Sequence, residues 1–211
     1  MWALRIAIVV VAGLALAATA APPPSPGECG QVVDGAALCL YRSGLPSVGI
    51  LTSCENAQTC RVGYYYGDLS HPVWFAPPEH LAALPKPEVI WLTVTLAQVR
   101  VDCAHPCSWS YFFEAKRRRL SPPYRSVLAV DSRRLLMATV EGRALVARQV
   151  FSGREVARVE RDWAPADWLG DVITALHFDL DGRLSFTWLR GRDRTPVSER
   201  VSVPSIPSAH S

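Results

Sequence analysis

The chain has 211 residues, 49% of them hydrophobic, with 6 cysteines and a formal net charge of +3. So small a net charge makes nucleic acid a poor partner, and the length is enough to bury a sizeable core without relying on disulfides. The charge is uneven: residues 22–110 carry 4 basic and 7 acidic side chains, whereas residues 111–211 carry 17 and 12. The basic residues are nearly all arginine, a bias that a GC-rich bacterial genome often produces and that carries no functional assignment.

Residues 1–20, "MWALRIAIVVVAGLALAATA", place Arg5 before an apolar run from Ile6 to Ala18, then Ala18-Thr19-Ala20. That layout predicts a cleaved secretory signal peptide. The run is shorter than the roughly 20 residues that span a bilayer, so no membrane span is expected after cleavage. "SPGE" before Cys29 lacks a lipobox, so no lipid anchor is expected. The mature chain of about 190 residues then reads as a Pro-rich lead-in at 21–28, one domain at 29–203 and a loose tail at 204–211. The periplasm or the outside of the cell is the expected location.

Short apolar and β-branched runs bounded by turn residues follow. They predict strands at 36–42, 48–53, 60–66, 72–75, 88–101, 108–114, 126–131, 134–140, 144–151, 154–160, 173–180, 183–189 and 197–203. Short helical turns are expected at 77–85 and 165–170. There is no long helical periodicity and no alternation of helices with strands. The fold class expected is all-β: antiparallel meander sheets, propeller-like or sandwich-like, stapled by disulfides.

The cysteines are Cys29, Cys39, Cys54, Cys60, Cys103 and Cys107. An even number in an exported chain reads as disulfides, and the spacing favours 29–39, 54–60 and 103–107. "CAHPC" invites two other readings. A thioredoxin-type redox pair needs C-x-x-C at a helix start, and a zinc site needs reduced thiols and more ligands. An extended chain would hold Cys103 and Cys107 about 13 Å apart. A bridge needs Cα atoms closer than roughly 7 Å, and Pro106 favours the turn that closes the gap.

Three turns share the form x-Gly-Arg: "VEGR", "FSGR" and "LDGR". For "LDGR", a three-residue loop, Leu180-Asp181-Gly182, pairs Asp179 with Arg183. It then sets Phe178 opposite Leu184 and Leu176 opposite Phe186, keeping one apolar face continuous. The same register at "VEGR" sets Met137 opposite Leu145 and Leu136 opposite Val146. Both faces are apolar there, which predicts a strand buried on two sides.

Residues 130–188, "VDSRRLLMATVEGRALVARQVFSGREVARVERDW…VITALHFDLDGRLSFTW", resemble β-propeller blades of the WD40 or quinoprotein type. The resemblance implies four-stranded antiparallel meanders joined by Gly turns.

Candidate functional residues are few. His71, His80, His105, His177 and His210 form no pair at ligand spacing. There is no nucleophile elbow, phosphate loop or dinucleotide fingerprint, so no metal, cofactor or catalytic residue is assigned. "DLDG" echoes a calcium loop but lacks its later acidic ligands. His177 is expected on the outer face of its strand. "KRRRL" offers Arg117, Arg118 and Arg119, either as a solvated hairpin tip or as an anion-contacting one. "GYYYGD" offers Tyr64, Tyr65 and Tyr66, with Trp74 nearby, either as packing or as a recognition patch. In a strand, Tyr64 and Tyr66 share one face and Tyr65 takes the other. The expected role is a non-enzymatic binding, inhibitor, immunity or envelope-accessory protein. Its partner would be another envelope protein or an anionic envelope component. The alternative is an exported hydrolase whose His and Asp residues converge from distant positions.

Overall fold

The computed structural model describes residues 27–33, 36–78, 84–103 and 106–204. Residues 1–26, which hold the expected signal peptide, most of the expected 77–85 turn, His80, His105, His210 and the residues beyond Pro204 lie outside the described residues. Among the described residues, seventeen strands form four antiparallel sheets. β1 (Glu28–Val33), β2 (Ala36–Arg42), β3 (Val48–Asn56), β4 (Thr59–Tyr66) and β5 (Asp68–Trp74) form the first sheet in chain order. The second contains β6 (Glu88–Trp91), β7 (Leu96–Asp102) and β8 (Ser108–Glu114), with two short strands, β9 (Arg119–Leu120) and β10 (Tyr124–Arg125), both on β8. The third is β11 (Val127–Asp131), β12 (Leu136–Glu141), β13 (Ala144–Gln149) and β14 (Glu155–Val159). The fourth is β15 (Ile173–Phe178), β16 (Arg183–Arg190) and β17 (Thr195–Ser202).

The sheets pack face to face through three cores, because strands of the inner sheets are apolar on both sides. On β8, Tyr111 and Phe113 enter a core shared with the first sheet, beside Ile50, Val62 and Val99. Phe112, between them, enters a second core with Met137 and Val150 of the third sheet region. On β12, Leu136 and Ala138 point the other way, into a third core with Leu184, Phe186 and Trp188. Continuous apolar runs are what such doubly buried strands require. None of the three cores joins the first sheet to the fourth among the described residues. The outer face of the fourth sheet is polar, with Thr187 Oγ1 2.9 Å from Ser198 Oγ and His177 exposed beside Ser185, as the alternation predicts.

Three sequence expectations need correction. The run 88–101 is two strands, not one. Thr93 Oγ1 accepts from the Leu96 N–H at 3.0 Å and the Thr95 N–H at 3.3 Å, closing a turn within an all-β-branched stretch. The helical turn expected at 165–170 forms later, as a 3-10 turn at Leu169–Val172, because Trp168 is still extended at φ −127°. The "VEGR" register also differs. Glu141 pairs with Ala144, Val140 with Leu145 and Leu136 with Gln149, around a two-residue Gly142-Arg143 turn. Gly142 at φ +57° occupies the first central position, where two-residue hairpins favour glycine. With both faces apolar, hydrophobic pattern carries no register information. At "LDGR" one face is polar, and the expected register holds: Phe178 faces Leu184, Leu176 faces Phe186, and the Asp179 N–H donates to the Arg183 carbonyl at 2.8 Å.

Candidate functional site

All three expected disulfides are present, with Cα separations of 4.1 Å for Cys29–Cys39, 4.0 Å for Cys54–Cys60 and 5.1 Å for Cys103–Cys107. The first two join residues directly opposite each other in neighbouring strands. The third closes the "CAHPC" turn between β7 and β8, where the Cys103 N–H donates to the Cys107 carbonyl at 3.0 Å. Both sulfurs of that motif are therefore committed to a staple.

The three tyrosines divide as the strand period requires. Tyr64 stacks on Phe113 with centroids 4.6 Å apart, and Tyr66 meets the same ring edge-on at 6.4 Å. Both are half-buried against the first core. Tyr65 faces the other side of the sheet and is 4% exposed, so none of the three rings is an exposed surface. Burial pushes the Tyr65 and Tyr66 hydroxyls up from their ordinary pKa. Trp74 is half-buried, and the Arg61 guanidinium lies 4.1 Å over its ring.

The basic cluster sits at the C-terminal end of β8, on a 3-10 turn at Ala115–Arg117. Lys116, Arg117, Arg118 and Arg119 are exposed. Arg117 and Arg119 both donate to the Glu114 carboxylate, at 3.0 and 2.8 Å. Arg118, left-handed at φ 51°, lays its guanidinium 4.0 Å over Tyr66. Arg119 lies 3.8 Å over Phe151. The tip is thus braced by one carboxylate and two rings. Tyr66, read from sequence as part of a separate patch, is the platform for Arg118.

A cavity of about 540 Å³ opens at the other end of β8, between the second and third sheets. Ser126, at φ 55°, turns the chain from one sheet to the other, its N–H donating to the Ser108 carbonyl at 3.0 Å. β10 contributes Tyr124 and Arg125 to the wall, β12 contributes Thr139 and Glu141, and β13 contributes Arg148. Pro106 of the disulfide loop and Asp167 and Trp168 of a connecting segment complete it. Arg148 donates to the Gly153 carbonyl at 2.9 Å and to Glu141 at 2.5 Å, and Arg158 donates to Glu141 at 3.1 Å and Glu155 at 2.9 Å. Arg158 holds the Glu155 carboxyl below its usual range. No sequence motif marks this wall, because its residues come from separate segments that only the stacking of sheets brings together.

Two described histidines sit beside carboxylates. His71 Nδ1 lies 2.8 Å from Asp68 and 3.0 Å from Ser70 Oγ on an exposed edge strand. Hydrogen bonds from Ser70 and then His71 hold Asp68 well below the usual carboxylate range. His177 Nε2 lies 3.0 Å from Asp179, which also accepts from Ser185 Oγ at 2.5 Å. Asp179 stands in the middle of that group, whereas a hydrolytic triad needs the histidine there. Neither histidine lines the cavity.

No family model, curated protein or solved structure matches this chain. Among the described residues, no helix is long and apolar enough to cross a membrane.

Proposed function

We propose that this chain is an exported, disulfide-stapled binding protein of the periplasm or cell exterior. It engages an anionic envelope component, or an acidic envelope protein, through the Arg117–Arg119 tip. The observation that carries this reading is the tip itself. Four consecutive cations are exposed there, and three of them, Arg117, Arg118 and Arg119, are held by Glu114, Tyr66 and Phe151. Preorganised guanidinium forks lose little freedom when they meet phosphate or carboxylate. The signal-like N-terminus and the three local bridges support an oxidising, exported setting. Chain-order stacking of meander sheets supports reading the domain as an open, propeller-like array of blades.

The test is affinity capture from envelope extracts on immobilised wild type and on an Arg117→Gln/Arg118→Gln variant. That variant leaves Arg119 to hold Glu114. The wild type is expected to retain an anionic component that the variant releases at lower salt. Equal retention by both would contradict the assignment.

A further inference from the structure

The cavity between the second and third sheets has a charge pattern of its own. Four ionised side chains face it: Arg125, Glu141, Arg148 and Asp167. Glu141 and Arg148 are bound to each other; Glu141 also accepts from Arg158, and Arg148 also donates to the Gly153 carbonyl. The side chains of Arg125 and Asp167 are different. Neither has a hydrogen-bond or ion-pair partner among the described residues, and they do not pair with each other across the space they both line. The cavity therefore presents one free guanidinium and one free carboxylate. Trp168, Pro106 and Pro123 add apolar surface to the lining, and the volume of about 540 Å³ lies in the range of small-ligand pockets.

We propose that this cavity binds a short zwitterionic peptide, its α-carboxylate on Arg125 and its α-ammonium on Asp167, with an apolar side chain against Trp168. A guanidinium matches a carboxylate with two parallel hydrogen bonds. A single anion or cation would leave one of the two wall charges unmatched, and a neutral sugar would leave both; a zwitterion matches both. The Cys103–Cys107 bridge has a part in this site, because it closes the loop that carries Pro106. The site lies at the opposite end of β8 from the basic tip, a strand length of roughly 20 Å away, so it stands or falls independently of the tip's function.

The probe is trialanine, titrated calorimetrically into the full exported domain beside its N-acetylated, C-amidated and doubly blocked forms. Free trialanine is expected to bind saturably, and each block is expected to weaken it at least tenfold. Arg125→Gln should weaken free trialanine by a similar factor and lose its sensitivity to C-amidation. Asp167→Asn should do the same and lose its sensitivity to N-acetylation. Both replaced side chains are exposed, and an unchanged near-UV spectrum checks each fold. Should a variant fail that check, the blocked peptides on wild type decide alone. The proposal is overturned by absence of saturable trialanine binding, by equal binding of the doubly blocked peptide, or by binding of N,N′-diacetylchitobiose in its place.

Discussion

Tyr111 is 1% exposed, and its hydroxyl donates to the Ala76 carbonyl at 2.7 Å. Burial pushes its pKa up to about 12, against about 10 for tyrosine in an unfolded chain. The folded state thus favours the neutral phenol. Its stabilising contribution is complete below about pH 10 and is lost as pH rises through about 12. Tyr111→Phe is expected to lower stability at neutral pH by about 1 kcal/mol, the worth of one hydrogen bond to a carbonyl that water can reach. It should also make the fall in thermal midpoint between pH 9 and 12 shallower. Burial raises Tyr65, Tyr66 and Tyr124 as well, so the alkaline limb should shrink without vanishing. A midpoint that falls as steeply in the variant as in wild type would remove Tyr111 from this account. At this scale the sequence was partly legible. Alternation separates Tyr64 and Tyr66 from Tyr65, but it cannot say that a second sheet supplies Phe113 to cover the first pair, or that Arg118 uses Tyr66 as its seat.

Hairpins show where sequence pattern carries register and where it does not. At "LDGR" one strand face is polar, so only one pairing keeps the apolar residues together. At "VEGR" every residue from Leu136 to Thr139 and from Ala144 to Ala147 is buried. No pairing is then favoured by burial, and the turn decides. The two glycines should therefore respond differently to substitution. Gly142 has φ +57° and nothing within 4 Å of an added Cβ, so Gly142→Ala meets backbone strain alone, about 1 kcal/mol. Gly182 has φ +92°, and an added Cβ would lie 2.5 Å from Arg134 Nη1. That nitrogen donates to the Gly182 carbonyl at 2.7 Å while Arg134 Nε is held by Asp131 at 2.6 Å, tying the third sheet to the fourth. Gly182→Ala is expected to lose roughly 2–3 kcal/mol. Chemical denaturation of both variants checks the order, and equal losses would show that the Arg134 tie carries no stability. The bridges belong to the same scale. Spacing favours the local pairs because they close short loops, and a five-residue loop such as Cys103–Cys107 contributes about 2 kcal/mol in the chain-entropy model.

Across the whole molecule, sheets that follow one another in the chain also follow one another in space, and each inner sheet serves two cores. Most strand positions were legible because doubly buried strands leave apolar runs; β1, β9 and β10, which lack such runs, were not. The cavity was not, since Pro106, Arg125, Glu141 and Asp167 become neighbours only when the second and third sheets stack. β8 runs between two features of different chemistry, a predominantly cationic tip at its C-terminal end and a cavity of mixed charge at its start. The most direct measurement of binding at the tip is a titration of the anionic component retained from envelope extract against wild type and the Arg117→Gln/Arg118→Gln variant at two salt concentrations. The wild type is predicted to bind more tightly at low salt, mainly through faster association, and the two proteins should converge as salt screens the exposed charges. Identical affinities with identical salt dependence would contradict the account.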